Sequence, residues 1–520
     1  MSEKPNFLYF MVDQQRADWL GCYGHPIVKT PNIDALAAKG TRFKEFHVAT
    51  PVCMPNRASF MTGRMPSVHG LRYNGCYLSE RANTFVDVLR ASGYTTASIG
   101  KSHLQPMTGI DARHAGSGFN GPVKDAWKTD KGNYGHEEPD CYTESEYFDF
   151  PTPYYGFDHV DMVTSHGDRA GGHYKQWFKN KHQNWEALHD PANELPHNYA
   201  CPQAYRTPIP QESYPTAFIR DRAIDYLTNR DGRDQPFYAF VSFPDPHHPF
   251  NPPGKYWDMY NPEDFELPVR FEDHKNPPPP LLDARQSFEN QGGQITPQTA
   301  FMASDREVQE AMALTAGMIT MIDDALGEII QTLKDTGQYE NTVIVFNSDH
   351  GDYLGDFNML LKGPWALRSI NRVPMIWSDP ASRTGRVTQA LASTIDISAT
   401  ILERAGIEPY FGIQGRSFLP CIHGHDKHRD NLLVEFNDGF ARSGFEQSAR
   451  VRTVVTADWQ MSVYKDQDWG ELYDYTRDPM QTHNLWDSGQ HGAVKAALFE
   501  ELTQLLIGQM DESPQSSRLA

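Results

Sequence analysis

The chain alternates short apolar runs with longer segments of helical period. Residues 7–12 and 237–243 are almost continuously apolar, and 95–99 and 342–346 are short β-rich runs. Such runs predict central parallel strands buried on both faces. Helical spacing marks 30–37, 84–92, 216–229 and 307–334, with stops near Gly40, Gly93 and Gly337. From about residue 431 the pattern changes to short strands, including 450–456 and 459–464, followed by an amphipathic helix over 494–507. From about 104 to 210 regularity falls, and Gly, Pro, His and aromatics accumulate. That stretch is expected to be an insertion forming a lid, a substrate wall or a subunit contact, with structural or surface histidines. Residues 270–303, with Pro277-Pro278-Pro279-Pro280, are expected to be an irregular connection. The pattern predicts an α/β fold: a large domain over 1–430 and a smaller α+β subdomain over 431–520.

In open α/β sheets, ligands bind beyond the carboxyl ends of the strands. That rule singles out Asp13-Gln14, Lys101-Ser102-His103, His247 and Asp349-His350, each just past an apolar run. Each also has a plain reading as a polar loop. If the backbone stays extended, Lys101 and His103 project to one side and suit a tetrahedral dianion. Two adjacent histidines cannot easily face one site from an extended backbone, so His247 is expected there and His248 is not.

Composition narrows the partners. The 520 residues carry 47 Lys+Arg and 67 Asp+Glu, a net charge of −20. Nonspecific nucleic-acid binding and anionic membranes are disfavoured, and an anion site must be a local positive pocket. The start of the chain has no basic n-region, and 7–12 is too short to span a membrane, so a cytoplasmic protein is expected. The six cysteines include no C-x-x-C pair, which argues against structural zinc and a disulfide framework.

One cysteine stands apart. In Pro51-Val52-Cys53-Met54-Pro55-Asn56-Arg57-Ala58-Ser59-Phe60-Met61-Thr62-Gly63-Arg64, Pro55 fits a first helical turn and Gly63 can end the helix. Cys53 is then expected at a helix N-terminus, where an anion is welcome and a thiol's pKa is lowered. Arg57 can reach back to the same spot. The plain reading is a buried cysteine on a helix.

Cys53-x-Pro55-x-Arg57 followed by Ala-Ser-Phe-Met-Thr-Gly-Arg resembles the signature of the type I sulfatases of the alkaline phosphatase superfamily, with Asn56 where Ser is usual. Gly100-Lys101-x-His103, Pro246-His247-x-Pro249-Phe250, Ser348-Asp349-His350-Gly351 with Leu354-Gly355, and Lys362-Gly363 resemble further motifs of that family. Nearly the whole chain is covered in family order, the insertion least. The Asp13-Gln14 pair resembles the choline sulfatase and phosphonate monoester hydrolase branches. The resemblance implies an alkaline phosphatase-like sheet and oxidation of Cys53 to formylglycine by a maturation enzyme.

It further implies a single divalent cation on Asp13, Gln14, Asp349 and His350, with the modified Cys53 as a further ligand. Ca²⁺ is favoured by family analogy, and the imidazole also suits Mn²⁺. Lys101 and Lys362 would hold the sulfuryl oxygens, Asn74 would lie beside the nucleophile, and Arg57 would orient it. His247 would contact the ester side and, with Lys362, protonate the leaving oxygen. His103 would take the proton that expels sulfate from a covalent sulfo-enzyme. The expected substrate is a small sulfate monoester, an aryl sulfate above all. Phosphonate monoester or phosphodiester hydrolysis with the same nucleophile is the alternative, and a noncatalytic metal- or anion-binding relative is a third. Oligomeric state is left open, a homo-oligomer included.

Overall fold

The computed structural model describes residues 4–112, 126–128, 131–144, 146–232, 234–290 and 299–519. Parts of the expected insertion, residues 291–298 of the proline-rich connection, and residues 1–3 lie outside the described residues.

A nine-stranded sheet organises the molecule. Its strands are β1 (Asn6–Val12), β2 (Thr41–Phe43), β3 (Thr95–Gly100), β4 (His159–Thr164), β5 (Gly171–Gly172), β6 (Phe237–Phe243), β7 (Thr342–Ser348), β8 (Met375–Ser378) and β9 (Arg386–Thr388). The spatial order is β9-β2-β8-β7-β1-β6-β3-β4-β5. The block β7-β1-β6-β3-β4 is parallel throughout. Strand β8 runs antiparallel to β7, and β5 antiparallel to β4, so the sheet is mixed but mostly parallel.

The apolar runs are explained by the two layers of helices. Along β1, Leu8, Phe10 and Val12 point into one core, shared with helices α3 (Pro215–Asn229) and α4 (Asp305–Asp335). Phe7, Tyr9 and Met11 alternate to the other face. There they meet Met54, Ala58, Phe60 and Met61 of α2 (Cys53–Thr62) and Ile397 and Ile401 of α5 (Asp396–Arg404). Phe60 lies 4.9 Å from Tyr9 and 5.5 Å from Phe240, ring centre to ring centre. Phe60→Ala would empty that contact at a cost of about 3–5 kcal/mol and loosen the helix that carries Cys53. Helix α1 (Pro31–Ala37) docks on α4 through Asp323, whose carboxylate accepts from the Asn32 and Ile33 amides at 3.1 and 2.7 Å.

A second, four-stranded antiparallel sheet follows: β10 (Asn431–Asn437), β11 (Arg450–Thr456), β12 (Trp459–Tyr464) and β13 (Gly470–Asp474). Leu498 and Leu502 of helix α6 (Gly492–Ile507) pack with Val454, Met461 and Leu472 of this sheet. It also grips the 364–366 backbone: Tyr464 Oη donates to the Pro364 carbonyl at 3.2 Å, and Gln460 Nε2 to the Ala366 carbonyl at 2.5 Å. No helix among the described residues is long and apolar enough to cross a membrane.

Three expectations need correction. The 270–303 connection contains a helix, Pro279–Glu289, because Pro279 and Pro280 occupy its first turn, where no amide donor is required. The expected insertion contributes strand β4 and helix His173–Lys181. The chain past β3 is not extended: Gly100 has φ +107° and His103 φ +59°, so Lys101 and His103 are arranged by a turn.

Candidate active site

Four adjacent strands of the sheet, β7, β1, β6 and β3, end in the residues singled out from the sequence. Asp13, Lys101, Asp349 and His350 follow directly on strand ends, and His247 lies four residues beyond β6. All five are buried. Helix α2 brings Cys53 to the same place from the face of the sheet. Asn56 fixes that approach: its Oδ1 accepts from the Ala49 amide at 3.1 Å, and its Nδ2 donates to the Asp349 carbonyl at 2.5 Å.

Asp13, Cys53, Asp349 and His350 form one cluster whose ligand-capable atoms all lie within 4.8 Å of one another. Cys53 Sγ is 3.1 Å from His350 Nε2 and 3.7 Å from Asp13 Oδ1. His350 Nδ1 is 2.8 Å from the Gly351 carbonyl, so it carries the proton and Nε2 offers a lone pair to the cluster. Burial and the Lys362 charge hold this imidazole neutral, with its pKa pushed down to about 4 despite Asp349 and Asp13. Two carboxylates and one neutral imidazole suit a hard or borderline divalent cation, and the donor set therefore fits the implied metal. Gln14 sits against the same cluster, its amide donating to Asp349 Oδ1 at 3.1 Å. Its side chain is engaged elsewhere: Oε1 accepts from Lys362 Nζ at 2.7 Å and Nε2 donates to Asp352 Oδ2 at 2.5 Å.

Arg57 binds both carboxylates, at 2.8 Å to Asp349 Oδ2 and 3.4 Å to Asp13 Oδ2. Its Nη1 also donates to the Lys101 carbonyl at 2.8 Å and to Ser242 Oγ at 2.9 Å. Lys101 Nζ forms an ion pair with Asp13. Burial alone would raise the Asp13 pKa, but Lys101, His247, His166 and Arg57 together hold it well below the usual carboxylate range. The opposite happens at Cys53. Burial, reinforced by the Asp13 charge, outweighs Lys362 and Lys101 and pushes the thiol up to about 11. The lowered thiol pKa expected from the helix terminus is not found; the group is held as a thiol.

Lys362 Nζ also lies 3.1 Å from His247 Nε2, while His247 Nδ1 is 2.6 Å from the His248 carbonyl. His103 is buried, and burial together with Lys101 and Arg57 holds it neutral, well below the usual histidine range. Asn74 is exposed and caps the start of α2, its Oδ1 accepting from the Met54 amide at 3.2 Å.

Sequence reasoning missed three members. His166 follows β4; its Nε2 is 2.5 Å from Lys101 Nζ, and its ring stacks on His247 at 3.6 Å. It belongs to the expected insertion, whose histidines were assigned to surface or structural roles. The signal was faint: Val160, Met162 and Val163 are interrupted by Asp161, yet the strand-end rule applies to them equally. His248 also joins the site, its Nδ1 3.2 Å from Gln14 Nε2 and its ring 3.9 Å from that of His247. The two neighbours face one site because the backbone there is a turn and not the extended strand expected. Asp352, buried behind Gln14, has its pKa pushed up to about 6 by burial.

Comparison with known proteins gives the family. Residues 5–407 match the family described as Sulfatase, and residues 365–507 match N-sulphoglucosamine sulphohydrolase, C-terminal. The chain is 28% identical to an arylsulfatase of Clostridium perfringens over 494 residues, covering 94% of this chain and 91% of the relative. It is 29% identical to the multifunctional alkaline phosphatase superfamily protein PehA of Trinickia caryophylli, covering 94% and 93%. Its fold is similar to the crystal structure of the phosphonate monoester hydrolase of Agrobacterium radiobacter, with TM-score 0.77, 24% identity and coverage of 99% and 98%. The chain belongs to the sulfatase family, within the alkaline phosphatase superfamily.

Proposed function

We propose that this member of the sulfatase family hydrolyses sulfate monoesters, aryl sulfates among them, with a formylglycine made from Cys53 as nucleophile. One observation carries the reading: the buried Cys53 side chain opens helix α2 within 3.1 Å of His350 Nε2, in a cluster with Asp13 and Asp349. Asp13, Gln14, Asp349, His350 and the modified Cys53 would hold a divalent cation, Ca²⁺ or Mn²⁺; bound there, it would offset negative charge on the sulfuryl group.

The chain's own groups account for the rest. One hydroxyl of the hydrated aldehyde attacks sulfur, passing its proton to Asp13, whose Oδ1 lies 3.7 Å from Cys53 Sγ, and the S–O bond to the alcohol breaks. Lys362, whose ammonium donates to the bare Nε2 of His247 at 3.1 Å, supplies the proton for the departing oxygen, and His247 orients it. Lys101 and Lys362 hold the sulfuryl oxygens. In the second step the neutral His103 takes the proton of the remaining hydroxyl, the aldehyde C=O re-forms, and the C–O bond to sulfate breaks. Water rehydrates the aldehyde. Arg57 keeps the two carboxylates in register throughout.

A second reading, phosphonate monoester or phosphodiester hydrolysis, is favoured by the Asp13-Gln14 pair and by the likeness to PehA. The test is the mass of the Cys53 peptide together with a paired assay. Formylglycine at position 53 and a higher kcat/KM for an aryl sulfate than for an aryl phosphonate monoester are expected. An unmodified thiol in fully active protein, or active enzyme without a cation, would overturn the reading. A strong preference for the phosphonate would move the chain to the second reading.

A further inference from the structure

The three histidines to which the reaction assigns roles are held in different ways. His247 and His350 each place Nδ1 against a backbone carbonyl, at 2.6 and 2.8 Å, which fixes ring and tautomer. His103 has no such bond. Its Nδ1 is buried and has no hydrogen-bond partner among the described residues. Its backbone sits at φ +59°, a region that side-chain-bearing residues adopt only when their surroundings impose it.

The amides of this turn converge on Glu137, a fully buried carboxylate from the insertion. The His103 amide donates to Oε2 at 2.9 Å, the Leu104 amide to Oε1 at 2.9 Å and the Gln105 amide to Oε1 at 3.2 Å. Tyr154 Oη adds a fourth donor at 2.6 Å. Three successive amides converging on one carboxylate form an anion-binding nest, here filled from within the chain. The two segments are stitched further by Gln105, whose Oε1 accepts from the His136 amide at 3.0 Å and whose Nε2 donates to the Asn133 carbonyl at 3.1 Å.

We propose that Glu137 is a positioning residue for His103, fixing the backbone turn from which the imidazole reaches the second hydroxyl of the nucleophile. The inference rests on the reading of His103 as the base of the breakdown step. It gives this part of the insertion a function: it holds the base in place.

The test is burst and steady-state kinetics with an aryl sulfate on His103→Ala, Glu137→Ala, Glu137→Gln and the His103→Ala/Glu137→Ala double variant. Formylglycine content and unfolding midpoint are measured on each preparation. A base displaced by about an ångström loses on the order of 10²-fold. Glu137→Ala is therefore expected to keep its burst and lose about 10²-fold in the steady state, with sulfo-enzyme accumulating. Glu137→Gln, which keeps one acceptor oxygen, should recover part of that loss. The double variant should be no slower than His103→Ala alone, because both changes remove one function. Multiplying losses in the double variant, or equal losses in burst and steady state for Glu137→Ala, would overturn the proposal. If His103→Ala itself shows no breakdown defect, the role of His103 falls, and the Glu137 proposal falls with it. Should Glu137→Ala fail to fold, Tyr154→Phe removes one donor and must show the same selective slowing, smaller in size; an unchanged breakdown rate there would count against the proposal.

Discussion

Arg57 is the residue on which the site's charges balance. Its buried guanidinium reaches Asp349 and Asp13 and two neutral acceptors. Arg57→Ala would leave two buried carboxylates short of countercharge, so a loss of about 3–5 kcal/mol in denaturant unfolding is expected. Arg57→Lys should not restore stability, since an ammonium cannot replace the planar fork. Cys53→Ala is the contrast: turnover should fall to background while the unfolding free energy stays within about 1 kcal/mol of the parent. A Cys53→Ala protein that unfolds early, or an Arg57→Ala protein as stable as the parent, would contradict this division of roles. Cys53, Arg57 and the strand-end groups were legible because each is marked by neighbours in sequence. The raised thiol pKa was not, because it follows from burial and from Asp13, 40 residues away in the chain.

At the scale of elements, strand ends do the positioning. Strand β3 must stop at Gly100, where a Cβ would meet the Ser242 carbonyl at 2.0 Å and φ is +107°. Gly100→Ala is therefore expected to cost at least about 1–3 kcal/mol from the backbone alone. It should also cut activity disproportionately, because Lys101 is the next residue; loss of stability with full kcat/KM in the folded fraction would refute the positioning role. Continuous apolar runs made β1 and β6 readable, and short β-branched runs made β3 and β7 readable. Their adjacency was not, since pairing Val12 with Ser348 spans most of the chain. Strand β4 escaped notice because His159 and Asp161 interrupt its apolar residues, and both are absorbed by ion pairs, Asp161 with His159 and Arg222.

In the whole molecule the second sheet closes on the loop that follows Lys362, and Glu471 lies at that junction. It is buried, accepts from the phenols of Tyr464 and Tyr473, and has its pKa pushed by burial from 4.5 up to about 7. Between those values the folded chain keeps a proton that the unfolded chain releases. Stability should fall by about 3 kcal/mol as pH rises through that window and level off above it. In Glu471→Gln this contribution disappears, which urea unfolding at pH 5 and pH 8 would reveal. The same pH dependence in both proteins would exclude Glu471 as its source.

The near-complete burial of Cys53, 1% exposed, also sets a clock. For the proposed oxidation of Cys53, a modifying enzyme would have to grasp the thiol before α2 is sealed against Asp349, and the strand leading to Asp349 ends about 300 residues after Cys53. At about 5–20 residues per second, ribosomal synthesis would leave roughly 15–60 s for that proposed oxidation. Slow translation between these two points would lengthen that interval, and fast folding would shorten it.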